Sequence, residues 1–320
     1  MSAKPALCWS NGGYSADPAN PDYGTHDWIA QHALDYLPAE EKQYLTSNLA
    51  AYLFGTELPD LPASQGGIGD TTKHHVYYSA SGTLTDDASA QRANATYNQA
   101  LNYLKSNDPA NAAKSAGAMT HYIADLAVFG HVMGSSTAWG TETHHSDYET
   151  YVNTRTDNYQ DTFNTYLHYD GSLTVLSAYD AAVNLAYNTV FGGSSNLGCV
   201  WMDTHYDWSN TTFSGRCGES LNLAVNAVAD VLHTLYQQAN PSATTPSSSP
   251  TSTPTVSPTP SSSNPANSPT ATETTATSPT SSQTQQPSPT PAAPEFPAKE
   301  ALAAVMLVIL ASAVIYRRKN

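Results

Sequence analysis

The chain has 320 residues, with 27 acidic against 12 basic side chains and a formal net charge of −15. Length alone suggests about two domains, but the composition restricts folding to part of the chain. So acidic a surface repels phosphate backbones unless bound cations offset it, which argues against a stable nucleic-acid partner.

In chain order, Ala6-Leu7-Cys8 places small residues at the −3 and −1 positions of a signal-peptidase site, so residues 1–8 read as a leader remnant whose removal frees Trp9. Residues 9–240 form the expected folded domain. They hold 7 basic and 24 acidic side chains, because Lys4, Lys299, Arg317, Arg318, Lys319, Glu273, Glu295 and Glu300 lie outside them. Several divalent cations would change that −17 balance considerably. Thr25 caps a predicted helix over 26–37 with Ile29, Ala33, Tyr36 and Leu37 on one face. Beyond Pro38 a second helix carries Tyr44, Leu45, Leu49, Tyr52 and Leu53, and a third spans 88–104. Asp108-Pro109 is a strong start for a helix through Met119, Tyr122, Ile123 and Leu126. Further helices are predicted near 145–166, 173–190 and 218–238. Alternating strand patterns are few, so the domain reads as all-α, an irregular multi-helix bundle with long loops at 10–24, 55–84, 132–144 and 192–216. Loops of that length in a compact domain usually carry function. Cys199 and Cys217 flank the last of these loops, and in an oxidising exterior they are expected to close it as a disulfide.

Residues 241–293 are almost entirely Ser, Thr, Pro, Ala, Asn and Gln, with Glu273 the only charge and Val256 the only large aliphatic residue. Such a segment buries too little apolar surface to offset its lost conformational entropy, and it reads as a disordered, Pro-stiffened stalk. Residues 294–320 then give Pro294-Glu295-Phe296, an apolar run from Ala301 to Tyr316, and the basic cluster Arg317-Arg318-Lys319. A helix of that run rises about 24 Å against a hydrocarbon core of roughly 30 Å, a gap that snorkelling basic residues close. This predicts one C-terminal membrane helix with its basic end cytoplasmic, placing the folded domain on the extracellular face of the membrane.

The chemistry is carried by histidine spacing. In His121-Tyr-Ile-Ala-Asp125 an imidazole and a carboxylate stand at i and i+4, on one helix face and within reach of one cation. His145-Ser-Asp-Tyr-Glu149 repeats the pattern on another helix. One such pair is most often a surface or core contact; two within 30 residues, with His131 between them, point to metal. Continued as an ideal helix, His131 falls about 240° round from Asp125 and faces elsewhere, which suits a second metal. Imidazole with carboxylate and no thiolate is the donor set of catalytic zinc. Read alone, His26, Asp60 and His75 are ordinary packing or turn residues; their order along the chain is what raises them.

That order resembles the zinc-dependent phospholipases C, distantly akin to the S1/P1 nucleases. Trp9-Ser10 looks like the family's mature N-terminal Trp, Thr25-His26-Asp27-Trp28-Ile29 its first histidine segment and Pro59-Asp60 its first aspartate. His75-Val76-Tyr77 resembles the next histidine motif, with adjacent His74 the lesser candidate. His121 to Asp125 through His131 resembles the central helix, and His145 to Glu149 the last pair. The likeness covers residues 9–150 with motifs and the rest of the domain by helical character. It implies three zinc ions: Asp60, His75, His121 and Asp125 holding one, Trp9, His26 and a bridging Asp125 a second, and His131, His145 and Glu149 a third. It also implies hydrolysis of phospholipid or related phosphate esters by a metal-activated water, with Asp60 as a catalytic residue orienting that water.

Positions that select choline in relatives hold Gly12, Leu61 and Thr72 here, which speaks against choline selectivity. The first rival reading is a single-strand nuclease of the S1/P1 kind, whose members usually have Asp where Glu149 stands. The second is a non-catalytic cell-surface module on the same fold. The tail resembles the PEF-CTERM sorting segment of methanogenic archaea, which implies a sortase-type processing enzyme as a partner.

Overall fold

The computed structural model describes Ser15 and residues 17–241. The leader remnant, Trp9, the choline-linked position Gly12, the stalk beyond Pro241 and the C-terminal sorting motif and apolar run therefore lie outside the described residues. Among the described residues no helix is long and apolar enough to cross a membrane.

Helices dominate. The first, α1 (Thr25–Ala33), tightens into a 3-10 turn at Leu34–Tyr36, and Leu37 is extended ahead of Pro38 (φ −86°, ψ 144°), as the residue before a proline prefers. The predicted second helix is two, α2 (Ala39–Thr46) and α3 (Leu49–Glu57), separated at Asn48 (φ −126°, ψ 36°). The long loop after α3 is pinned by two 3-10 turns and a small antiparallel hairpin, β1 (Tyr77–Tyr78) with β2 (Leu84–Asp86). Helix α4 (Ala88–Lys105) buries Ala90, Ala93, Tyr97, Ala100 and Leu101, one stripe at helical spacing. Asp108 caps α5 (Pro109–Ala124) by accepting from Asn111 N at 3.2 Å, with Pro109 in the first position, where its missing N–H costs nothing.

The remaining helices are α6 (His145–Asn153), α7 (Ala178–Phe191), α8 (Cys199–Thr204) and α9 (Thr211–Ala239). Two departures stand out. The helix predicted over 145–166 stops at Asn153, leaving a separate 3-10 turn at Thr162–Tyr166. The loop predicted over 192–216 contains α8 and the first residues of α9, whose start is fixed by Asn210 accepting from Thr212 N at 2.9 Å. Cys199 opens α8 and Cys217 lies inside α9, both buried and free rather than disulfide-bonded. Burial pushes each thiol up to about 12.

Met119, Tyr122 and Ile123 of α5 are among the largest fully buried side chains, together with Trp28, Tyr52, Leu126 and Phe129. Helices α3 and α5 cross in backbone contact: a Cβ on Gly117 would lie 2.0 Å from Tyr52 O, and one on Gly55 2.2 Å from Lys114 O. That close approach carries the end of α3 against the end of α5, where the site forms. On α9, side chains four residues apart dock the extended segment 168–176: Asn222, Asn226, Asp230 and Thr234 accept from the backbone N of His168, Asp170, Thr174 and Leu176 at 2.7–3.2 Å.

Candidate metal centre

His121 occupies the last turn of α5 and Asp125 its C-cap. From there the helix does not continue. Asp125–Ala127 is a 3-10 turn, Val128 is extended (φ −91°, ψ 129°), and Phe129–His131 forms a second 3-10 turn. The bend returns His131 to the same cluster, its Nε2 3.7 Å from Asp125 Oδ1. The helix ends at Asp125, so the helical premise for His131 does not hold, but its assignment to a different ion does: His131 groups with His145 and Glu149 and not with His121 and Asp125.

Asp125 is completely buried and lies at the centre. Its Oδ1 is 3.2 Å from His26 Nε2, and its Oδ2 is 2.9 Å from His74 Nδ1 and 3.2 Å from His121 Nε2. His26 comes from α1, with its ring stacked on that of His121 at 3.9 Å. Asp60 follows the end of α3, with Oδ1 3.5 Å from His74 Nδ1 and Oδ2 3.9 Å from His121 Nε2. On α6, His145 Nε2 and Glu149 Oε1 are 3.0 Å apart, and the same oxygen is 3.4 Å from His131 Nε2. The donor atoms thus form three groups: His26, His121 and Asp125; Asp60, His74 and His121; His131, His145 and Glu149.

Eight side chains therefore meet, and seven of them are sequence-predicted. The eighth is His74 in place of His75. His74 is 2 % exposed and faces the cluster, whereas His75 turns outward, stacks on Tyr77 at 4.4 Å and pairs with exposed Asp86 at 3.2 Å. Burial alternates along this stretch into β1: His74, Val76 and Tyr78 are buried, whereas His75 and Tyr77 are only partly so. Buried Val76 was the available signal, since it puts position 74 on the inner face. Two orienting groups were also missed. Thr56 O accepts from His121 Nδ1 at 2.6 Å, and Glu142 Oε1 accepts from His145 Nδ1 at 3.3 Å. Each leaves the opposite ring nitrogen turned to the cluster.

The electrostatics match a cation site. Burial lowers His26 to about 4. Burial also disfavours the His74 cation, but Asp125, Asp70 and Asp60 outweigh it and raise that ring to about 10; Glu149 and Glu142 do the same for His145. Asp125 is held well below the carboxylate range despite its burial, chiefly by His121 and His131. Both ring nitrogens of His26, both oxygens of Asp125, His131 Nε2 and Glu149 Oε2 are buried with no hydrogen bond of proper geometry. Buried polar atoms are rarely left so, and imidazole and carboxylate donors grouped within 4.8 Å fit zinc. His131, His145 and His74 open onto a cleft of about 300 Å³ whose other walls include His75, Tyr77, Met133, Ser135 and Glu142.

A helical bundle whose buried core gathers imidazole and carboxylate donors beside a cleft has the makings of a zinc site. The zinc dependent phospholipase C family profile matches residues 25–193, and the chain belongs to that family. Similar solved structures include alpha toxin from Clostridium absonum, 15 % identical over 71 % of this chain and 66 % of that one, with a TM-score of 0.47. Another is the alpha-toxin of an avian Clostridium perfringens strain, 17 % identical over 70 % and 65 % with a TM-score of 0.44. The chain spans just under two thirds of the length of each. No curated protein matches its sequence.

Proposed function

We propose that the chain is a zinc-dependent phosphoric ester hydrolase of the phospholipase C type, which cleaves the head group from phospholipids at a membrane surface. The convergence of eight buried or nearly buried donors, from five separate stretches of chain, with His74, His131 and His145 lining one cleft, carries this reading. Asp60, His74 and His121 would hold one ion, His26 and Asp125 would face a second, with Trp9 expected to add to it, and His131, His145 and Glu149 a third. Bound zinc supplies Lewis acidity toward phosphate oxygens and a water acidic enough to attack near neutral pH.

The remaining work falls to the chain itself. Asp60 is 11 % exposed, against none for Asp125, so its carboxylate reaches toward solvent and can orient an attacking water. Thr56 O and Glu142 fix the rings of His121 and His145. Ser135, Ser136 and Tyr77 supply hydroxyls along the cleft wall for a polar head group. The C-terminal apolar run and sorting motif would hold this domain at the outer membrane surface, and a sortase-type enzyme would process the tail.

The test is the purified chain with and without zinc, assayed on phospholipid vesicles and on single-stranded DNA. Zinc-dependent release of a water-soluble phosphorylated head group, with DNA left intact, is expected. Cleavage of DNA alone would replace this reading with the nuclease one.

A further inference from the structure

The third donor group is assembled from two pieces of chain. His131 ends the bent segment after α5, while His145 and Glu149 ride on α6, and His131 Nε2 and Glu149 Oε1 are 3.4 Å apart. The i,i+4 spacing keeps His145 and Glu149 together on their own helix. Nothing in that spacing sets where α6 begins relative to His131.

A side chain far away in sequence does. Asp203, on α8, is 7 % exposed, and its Oδ1 accepts from Thr143 N at 2.8 Å and from His144 N at 2.9 Å. These are the last two backbone donors before α6 starts at His145. Bonds from backbone N–H to a carboxylate are charge-assisted, and both of these are partly shielded from solvent, so loss of the acceptor frees the backbone just ahead of α6. The His144 ring stacks on Tyr206 at 4.2 Å and 4°, so the α8 end grips the same residue twice. On the opposite side the His145 ring is confined by Gly130, where a Cβ would lie 2.4 Å from its Cγ, and by Glu142 at Nδ1. Asp203 lies beyond residues 25–193, the stretch that carries the family match.

We infer that Asp203 is a positioning residue for the metal centre: it fixes the first turn of α6 and thereby brings His145 and Glu149 into register with His131. The inference rests on the zinc reading above and adds to it a carboxylate that touches neither metal nor substrate.

The experiment compares full-length Asp203→Ala, Asp203→Asn and Asp203→Glu with the parent chain. Zinc content is measured by atomic emission, zinc release by transfer to a chromophoric chelator, and folding by far-UV circular dichroism and Tm. Asn retains an acceptor oxygen at the same place, Ala removes it, and Glu keeps the charge but displaces it by one methylene. Asp203→Ala and Asp203→Glu should each show a class of zinc released about tenfold faster or more, the scale of an outer-shell defect, while Asp203→Asn releases zinc like the parent. If Asp203→Ala does not fold, Asp203→Glu decides. Parental release from whichever of these two variants folds, or an Asn variant as leaky as Ala, would overturn the assignment. A parent chain that binds no zinc would instead refute the metal centre itself, a distinguishable result.

Discussion

Replacing two adjacent histidines separately gives a sharp test, because the structure assigns them opposite fates. His74 is buried with Nδ1 within 3.5 Å of Asp125, Asp60 and His121, whereas His75 is 22 % exposed and pairs with Asp86, itself 45 % exposed. In zinc-free protein the His74 ring is held at about 10, above its unfolded value. A raised histidine contributes stability that is complete below the unfolded value near 6.5 and is lost as pH climbs through about 10. The ceiling is about 5 kcal/mol, and removing one member of a buried pair typically costs 3–5 kcal/mol. An exposed pair such as His75 with Asp86 is worth at most about 1 kcal/mol. Urea unfolding with a chelator present should therefore show His74→Ala losing several kcal/mol at pH 6 and much less near pH 10, with His75→Ala within about 1 kcal/mol throughout. Zinc content at pH 7.5 should fall in His74→Ala and hold in His75→Ala. The reverse order in zinc content, or a His74→Ala deficit that grows with pH, would refute the placement.

Other consequences follow from single contacts. Glu57 is buried, accepts from Ser15 N at 2.8 Å, and is pushed up to about 7 by burial, with the Asp22 charge adding to the effect. A raised carboxyl favours the fold below its unfolded value and costs stability as pH rises toward 7. Glu57→Gln, which keeps an acceptor for Ser15, should therefore exceed the parent by about 1 kcal/mol at pH 8, after discounting for solvent screening, with the gap closing below pH 5 in denaturant titrations. Asn226 accepts from Asp170 N and donates to His168 O and Asn222 O. Asn226→Ala should cost about 1–2 kcal/mol and speed amide exchange at Asp170, read by hydrogen–deuterium exchange. Cys199 and Cys217 are free, buried and pushed up to about 12, so peptide mapping should find both unlabelled by maleimide in the native chain and both labelled after unfolding without reductant.

Much of the bundle is legible in the sequence because its signals are local. Asp108-Pro109 marks the start of α5, the Ala and Tyr stripe of α4 appears at helical spacing, and His121 with Asp125 and His145 with Glu149 declare shared faces. What escaped the sequence depends on non-local geometry. The path to His131 bends at Asp125, where an ideal helix would continue, although its grouping apart from His121 and Asp125 agrees with the spacing. His75 was preferred to His74 by motif likeness, while the alternation set by Val76 and Tyr78 chose otherwise. The helix expected near 218–238 begins at Thr211, with Gly215, a residue usually disfavoured in helices, inside its added turns; Gly218 is required, since a Cβ there would lie 2.1 Å from the Tyr166 ring. Cysteine spacing across a loop suggested a disulfide, but Cys199 and Cys217 are set into separate helices, with the Cys217 thiol against Tyr148. Asp203 left no local trace, because its partners are 59 and 60 residues away.

In the proposed centre, zinc is gathered by donors from α1, the segment after α3, the end of α5 and α6. Anomalous diffraction at the zinc absorption edge, from crystals of the zinc-loaded chain, tests it most directly. Peaks among His26, Asp60, His74, His121, Asp125, His131, His145 and Glu149, with His74 rather than His75 in contact, are the predicted result. Zinc bound only elsewhere, or no peak among these residues, would contradict it.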